Sequence, residues 1–115
     1  MTTPDAVPEV APDEAHSLVD SGAALLDVRE LDEWQAGHAP DAQFIPLGEL
    51  QARVAEVAAD RRIVAICRSG ARSARAAAFL RAHGLDVVNL TGGMRAWAAC
   101  GFDVVADDGT PGTVI

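Results

Sequence analysis

Three short apolar runs, at residues 23–28 (AALLDV), 63–66 (IVAI) and 87–90 (VVNL), constrain this chain more than any other feature. Each has the pattern of a strand buried on both faces rather than of a half-wetted one. Helical patterns separate them. Pro12 with Asp13 and Glu14 reads as a first turn, Leu18 and Val19 give that helix its apolar side, and Gly22 ends it. Residues 30–36 carry Leu31 and Trp34 at i, i+3 and stop at Gly37. Pro46 is expected to open a helix with Leu47, Leu50, Val54 and Val57 on one stripe. A further helix runs to about His83, with Ala76, Phe79, Leu80 and His83 aligned, and is closed by Gly84. Gly92-Gly93 form a turn before a last helix, 94–99, with Trp97 inward.

Strands that alternate with helices imply βαβ units. The expected fold is α/β, a three-layer α/β/α arrangement around a central, mainly parallel sheet of about five strands. The two remaining strands are short ones near 7–10, behind Pro4 and Pro8, and near 43–45. At 115 residues this makes one domain. Residues 1–6 read as a flexible lead, 7–105 as the domain, and 106–115 (ADDGTPGTVI), which lack periodicity, as a mobile tail.

Composition removes several function classes. The net charge of −8 argues against nucleic acid and anionic membrane surfaces as partners. No apolar stretch reaches membrane-spanning length, no secretory signal is visible, and two cysteines cannot form a disulfide framework, so a cytoplasmic setting is expected. His16, His38 and His83 show no metal-ligand spacing with one another or with Cys67, and no metal or other cofactor is expected. Monomer is the default state. All nine basic residues are arginine, and six of them (61, 62, 68, 72, 75 and 81) fall in an acid-free window between Asp60 and Asp86. That window suits a small anion, or is simply an arginine-rich solvated helix face.

In parallel sheets ligands bind beyond the carboxyl ends of the strands. Asp27, Arg29, the 67–73 loop and Thr91-Gly92-Gly93 should therefore meet on one edge. Cys67 is the pivot. A lone cysteine after an apolar strand is more often inert core than nucleophile. This one stands in a strand-to-helix turn, with Gly70 for backbone freedom and Arg68 and Arg72 for charge. Turn amides and the positive helix end would stabilise a thiolate and any anion bonded to it.

At these residues the chain resembles a single-domain rhodanese, a sulfurtransferase family, over roughly residues 7–103. LLDVRE (25–30), Glu33-Trp34 with Gly37-His38, Ile45-Pro46-Leu47, CRSGARS (67–73) and LTGGMRAW (90–97) look like that family's motifs in order. One departure lies in GHAPDA (37–42): the family usually has a bulkier apolar residue at 39 and glycine at 41, where this chain has Ala39 and Asp41. Related dual-specificity phosphatases place five residues between the cysteine and the arginine. Here four residues separate Cys67 from Arg72, as in the sulfurtransferase form.

The resemblance implies double displacement. Cys67 takes sulfur from thiosulfate or a related sulfane donor, becomes a persulfide, and passes the sulfur to cyanide or a thiol, which could belong to a small molecule or a thioredoxin-like protein. Arg68, Ser69, Gly70, Ala71, Arg72 and Ser73 form the expected substrate loop. Asp27 is expected to pair with a loop arginine and Arg29 to tether a neighbouring segment. Two other classes stay open: a small-oxyanion enzyme of the phosphatase or arsenate-reductase kind, and a non-catalytic docking module. His38 is read as a structural turn residue, Trp34 and Trp97 as core anchors, and Cys100 as a packing residue.

Overall fold

The computed structural model describes residues 6–115, so most of the 1–6 lead lies outside the described residues. Within them one five-stranded sheet forms, in the order β1-β5-β4-β2-β3, with every pairing parallel. β2 (Ala24–Asp27), β4 (Ile63–Ile66) and β5 (Val87–Leu90) make its centre. The edges are β1 (Glu9–Val10) and β3 (Gln43–Phe44), of two residues each.

Apart from Asp27 and Asn89, the central runs are apolar at every position because both faces are covered. Leu26, Ile63, Ala65 and Val87 point into one cluster, beneath α3 (Ala71–Ala82). Leu25, Val64, Ile66, Val88 and Leu90 point into the other, beneath α1 (Pro12–Asp20) and α4 (Gly93–Ala99). The three-layer α/β/α arrangement follows from this alternation along each strand. A short α2 (Leu31–Ala36) leads off the end of β2. No helix among the described residues is long and apolar enough to cross a membrane.

Three expectations are corrected. The helix expected after Pro46 is two 3-10 turns, Leu47–Glu49 and Val54–Glu56. Its apolar stripe exists, since Leu47, Leu50, Val54 and Val57 all pack in the α3-side cluster. The reason lies in the spacing: Leu47 with Leu50 and Val54 with Val57 are three apart, the repeat of a 3-10 turn, whose side chains at i and i+3 eclipse.

The tail does not trail away. Val105 and His38 exchange backbone hydrogen bonds of 2.9 Å each way, and the Thr113 N–H donates to the Ala36 carbonyl at 2.9 Å. Close approach explains it: a Cβ on Gly37 would lie 2.7 Å from the Thr113 nitrogen, and one on Gly112 would lie 2.7 Å from the Gly37 Cα. Two glycines let the segment lie flat against the end of α2.

Cys100 is exposed at the end of α4 rather than packed. Of the two tryptophans, Trp97 is buried, whereas Trp34 is half-buried in a stack with His38 and Phe44, at centroid separations of 3.6 and 4.9 Å.

Candidate active site

The chain leaves β4 at Ile66, turns through residues 67–70 and enters α3 at Ala71. Gly70 permits this, at φ +113°, a left-handed conformation that side chains disfavour. The turn folds around the Cys67 sulfur. The Gly70 N–H donates to Sγ at 3.1 Å and the Ser73 hydroxyl donates at 3.2 Å. Cys67 is 1 % exposed, and this burial, the largest single influence on the thiol, pushes it up. The Ser73 hydroxyl and the N–H groups of Ser73, Gly70 and Ser69 together outweigh burial and hold the thiol below its ordinary range. The amino end of α3 points the same way. The result is a sulfur in a cup of donors that favour its thiolate form and would suit an anionic group bonded to it.

The back of the cup is made by α4. The Met94 N–H donates to the Cys67 carbonyl at 2.7 Å, and the Arg95 N–H to the Arg68 carbonyl at 3.1 Å. Gly93 makes room, since a Cβ there would lie 2.6 Å from the Arg68 carbonyl carbon. The 92–93 turn and the 67–73 loop thus share one sheet edge, in keeping with the geometric rule for parallel sheets.

The arginines distribute differently from a simple basic patch. Arg61 and Arg62 stand before β4, roughly 17–20 Å of extended chain from Cys67 at ~3.3 Å per residue. There they pair with Asp60 and Asp86, at 3.4 and 3.1 Å. The arginine-rich window therefore spans both ends of the sheet. In the loop itself, Arg72 is gripped by Glu33 of α2: Nη1 donates to Oε1 at 2.7 Å and Nη2 to Oε2 at 2.8 Å. The Arg72 hydrogen bonds push the Glu33 carboxyl down to about 2. Glu33 also closes a capping box with Glu30, accepting its N–H at 3.0 Å. Arg68 extends the other way, its Nε donating to the Ile115 carbonyl at 2.9 Å.

Asp27 does not pair with a loop arginine, which corrects the expectation. Its partner is Arg29, two residues on, at 2.8 Å, with both side chains fully buried. The Arg29 backbone N–H and Nε also donate to Asp27, and Nη2 reaches the Gly37 carbonyl at 2.7 Å. A carboxylate at the end of a buried strand takes the nearest guanidinium that can saturate both oxygens, and Arg29 is within one turn. His38 is hydrogen-bonded to the Trp34 carbonyl through Nδ1 at 2.7 Å, which occupies that nitrogen. Ala71 opens α3, and Ser69 offers Sγ its backbone N–H.

Glu33 and Asn89 are the members that sequence reasoning passed over. Asn89 Nδ2 donates to the Gly70 carbonyl at 3.0 Å and to Glu9 Oε2 at 3.0 Å. Its signal was available: one polar residue inside VVNL, a run buried on both faces, must find partners. Among the described residues no group of three or more His, Cys, Asp or Glu side chains is placed to hold a metal ion. A surface cavity of about 280 Å³ beside Trp97, Phe102 and His16 includes no residue of the 67–73 loop, so cavity size does not mark the chemistry here.

Known proteins resemble this chain in fold and in sequence. The rhodanese-like domain family matches residues 11–100. A sulfurtransferase of Allochromatium vinosum is 43 % identical over 86 residues, covering 74 % of this chain and 80 % of that protein. The thiosulfate sulfurtransferase GlpE of Pseudomonas savastanoi pv. phaseolicola is 33 % identical over 91 residues, covering 78 % of this chain and 86 % of that one. Among solved structures, a rhodanese-related protein of Thermoplasma volcanium superposes with a TM-score of 0.82 at 30 % identity, covering 87 % of this chain and 99 % of its own.

Proposed function

The chain belongs to the rhodanese-like domain family, and from that premise we propose that it is a sulfurtransferase working through a Cys67 persulfide, with thiosulfate or a related sulfane compound as donor. The observation that carries the proposal is the donor set on Sγ: Gly70 N–H at 3.1 Å and the Ser73 hydroxyl at 3.2 Å, inside a loop with four residues between Cys67 and Arg72. The curated relatives named sulfurtransferase support the same class of reaction.

The Cys67 thiolate attacks the outer sulfur of thiosulfate. A bond forms between the two sulfurs, the donor's sulfur–sulfur bond breaks, and its electron pair leaves with sulfite. Loop amides receive the negative terminal sulfur of the persulfide, the role preorganised donors play for any developing anion. An acceptor, cyanide in an assay or a thiolate in the cell, attacks that terminal sulfur and returns Cys67 as thiolate. On this reading no general base is needed, because the donors on Sγ favour the thiolate.

The test is intact mass after incubation with thiosulfate, beside a Cys67→Ser control. The expected result is a gain of one sulfur atom, absent in the control and discharged by cyanide. A folded protein with a free thiol and no gain would overturn the reading.

A further inference from the structure

Ser73 has one hydroxyl proton and two acceptors within reach, Cys67 Sγ at 3.2 Å and the Gly70 carbonyl at 3.3 Å. A hydroxyl donates once. Which acceptor receives the proton decides whether Sγ gains that donor or loses it.

The Gly70 carbonyl is also claimed from two other sides. The Ala74 N–H donates to it at 3.1 Å as the first bond of α3, and Asn89 Nδ2 donates at 3.0 Å from β5. Two N–H donors fill the two lone pairs of a carbonyl oxygen. The Ser73 proton is then left with Sγ.

Asn89 is held so that it must donate. It is 2 % exposed, and its amide faces two acceptors, the Gly70 carbonyl and the Glu9 carboxylate, at 3.0 Å each to the nearer oxygen. Glu9 is its register partner across the β1–β5 pairing and also accepts from the Thr91 hydroxyl at 3.0 Å. Presenting both Nδ2 hydrogens leaves Asn89 Oδ1 buried without a hydrogen-bond partner. A buried amide oxygen left bare is costly, so the arrangement at Nδ2 is what the site retains.

We propose that Asn89, oriented by Glu9, is a positioning residue for the Cys67 thiolate: by saturating the Gly70 carbonyl it commits the single Ser73 hydroxyl proton to Sγ. The charged groups around the loop, Arg72 on Glu33 and Arg68 on the Ile115 carbonyl, take no part in this relay.

The test reads thiol ionisation and so does not depend on which donor the enzyme uses. Alkylation of Cys67 by iodoacetamide is followed against pH in the full chain, in Asn89→Leu, in Ser73→Ala and in the double variant. Asn89→Leu keeps the branching of the side chain and removes the donor. Its alkylation midpoint should rise by about half a unit, read as a roughly threefold slower rate at pH values below the midpoint. In the Ser73→Ala background the same change should have no effect, because the proton it directs is gone. An equal loss in both backgrounds, or none in the first, overturns the proposal. Glu9→Gln, at the exposed sheet edge, is the second variant should Asn89→Leu not fold. It should shift the midpoint the same way by less, again only when Ser73 is present. Absence of that Ser73 dependence also overturns the proposal.

Discussion

Glu33 holds Arg72 by two parallel hydrogen bonds, 2.7 and 2.8 Å long, which commits the loop's arginine to the short helix α2. The pair is a strut between two elements before it is a source of positive charge. Residues that act as one unit give non-additive losses. Glu33→Gln and Arg72→Ala should each lower kcat/KM for thiosulfate by about tenfold, the scale of one charge-assisted contact. The double variant should fall no further than Arg72→Ala alone. Steady-state kinetics with cyanide as acceptor checks this, and independent losses would show that Arg72 meets the donor directly.

The same pair ties stability to pH. The Glu33 carboxyl is lowered in the fold, from 4.5 to about 2, by its Arg72 hydrogen bonds. A lowered acid contributes stability above its unfolded value, and that contribution is lost as pH falls through the folded value. At pH 7, Glu33→Gln should cost about 1–2 kcal/mol, discounted from the full shift because the Arg72 end is partly solvated. The difference from the parent chain should shrink below pH 4.5 and vanish near pH 2. Urea unfolding at several pH values measures it.

Asp27 and Arg29 are both fully buried and joined at 2.8 Å. Removing one member leaves a guanidinium in the core with no counter-charge. Asp27→Ala should therefore destabilise the chain by about 3–5 kcal/mol, the usual result of breaking a buried pair. Thermal unfolding reads the loss. A change under about 1 kcal/mol would mean that Arg29 finds another partner.

Asp41 is the one non-glycine residue at positive φ among the described residues, at 64°. It stands where the chain departs from the family's usual glycine. Aspartate tolerates this conformation better than most residues, at some cost. Asp41→Gly should stabilise by about 0.5 kcal/mol once the glycine's extra unfolded freedom is subtracted. A Tm higher by roughly 2–3 °C is the expected reading.

Much of the fold was legible because both faces of the sheet are covered: AALLDV, IVAI and VVNL are visible as strands without any partner in view. The edge strands were harder, since two residues carry no periodicity. The stretch from Leu47 to Val57 misled because a stripe at three-residue spacing fits an α-helix and a 3-10 turn equally. The tail misled for the opposite reason. Its anchors are backbone hydrogen bonds and glycine contacts, which leave no hydrophobic pattern to read.

In the site, Cys67 and Ser73 were legible from the strand-turn-helix setting, whereas the ion-pair assignments were not. Charge alone gave Asp27 several possible arginines. Only the geometry at the end of β2 gives it Arg29 and leaves Arg72 for Glu33, 39 residues earlier in the chain. Asn89 was concealed by its own run, where three apolar neighbours made the fourth residue read as one more strand position.

The Cys67 and Arg68 carbonyls are held by the N–H groups of Met94 and Arg95, and the Gly70 carbonyl by Asn89. Every one of these braces leaves the ribosome after the loop it supports. A nascent chain that has released residues 67–82 but not 89–95 carries an unbraced loop and a twelve-residue α3 that is marginal on its own. Its cysteine is an ordinary thiol, mostly protonated and slow to react with oxidants. The braces form only when β5 docks on β4 and α4 closes behind it. Any partial opening that peels off this strand and helix removes the braces again. The loop's chemistry is thereby tied to a stretch of chain that is made after it.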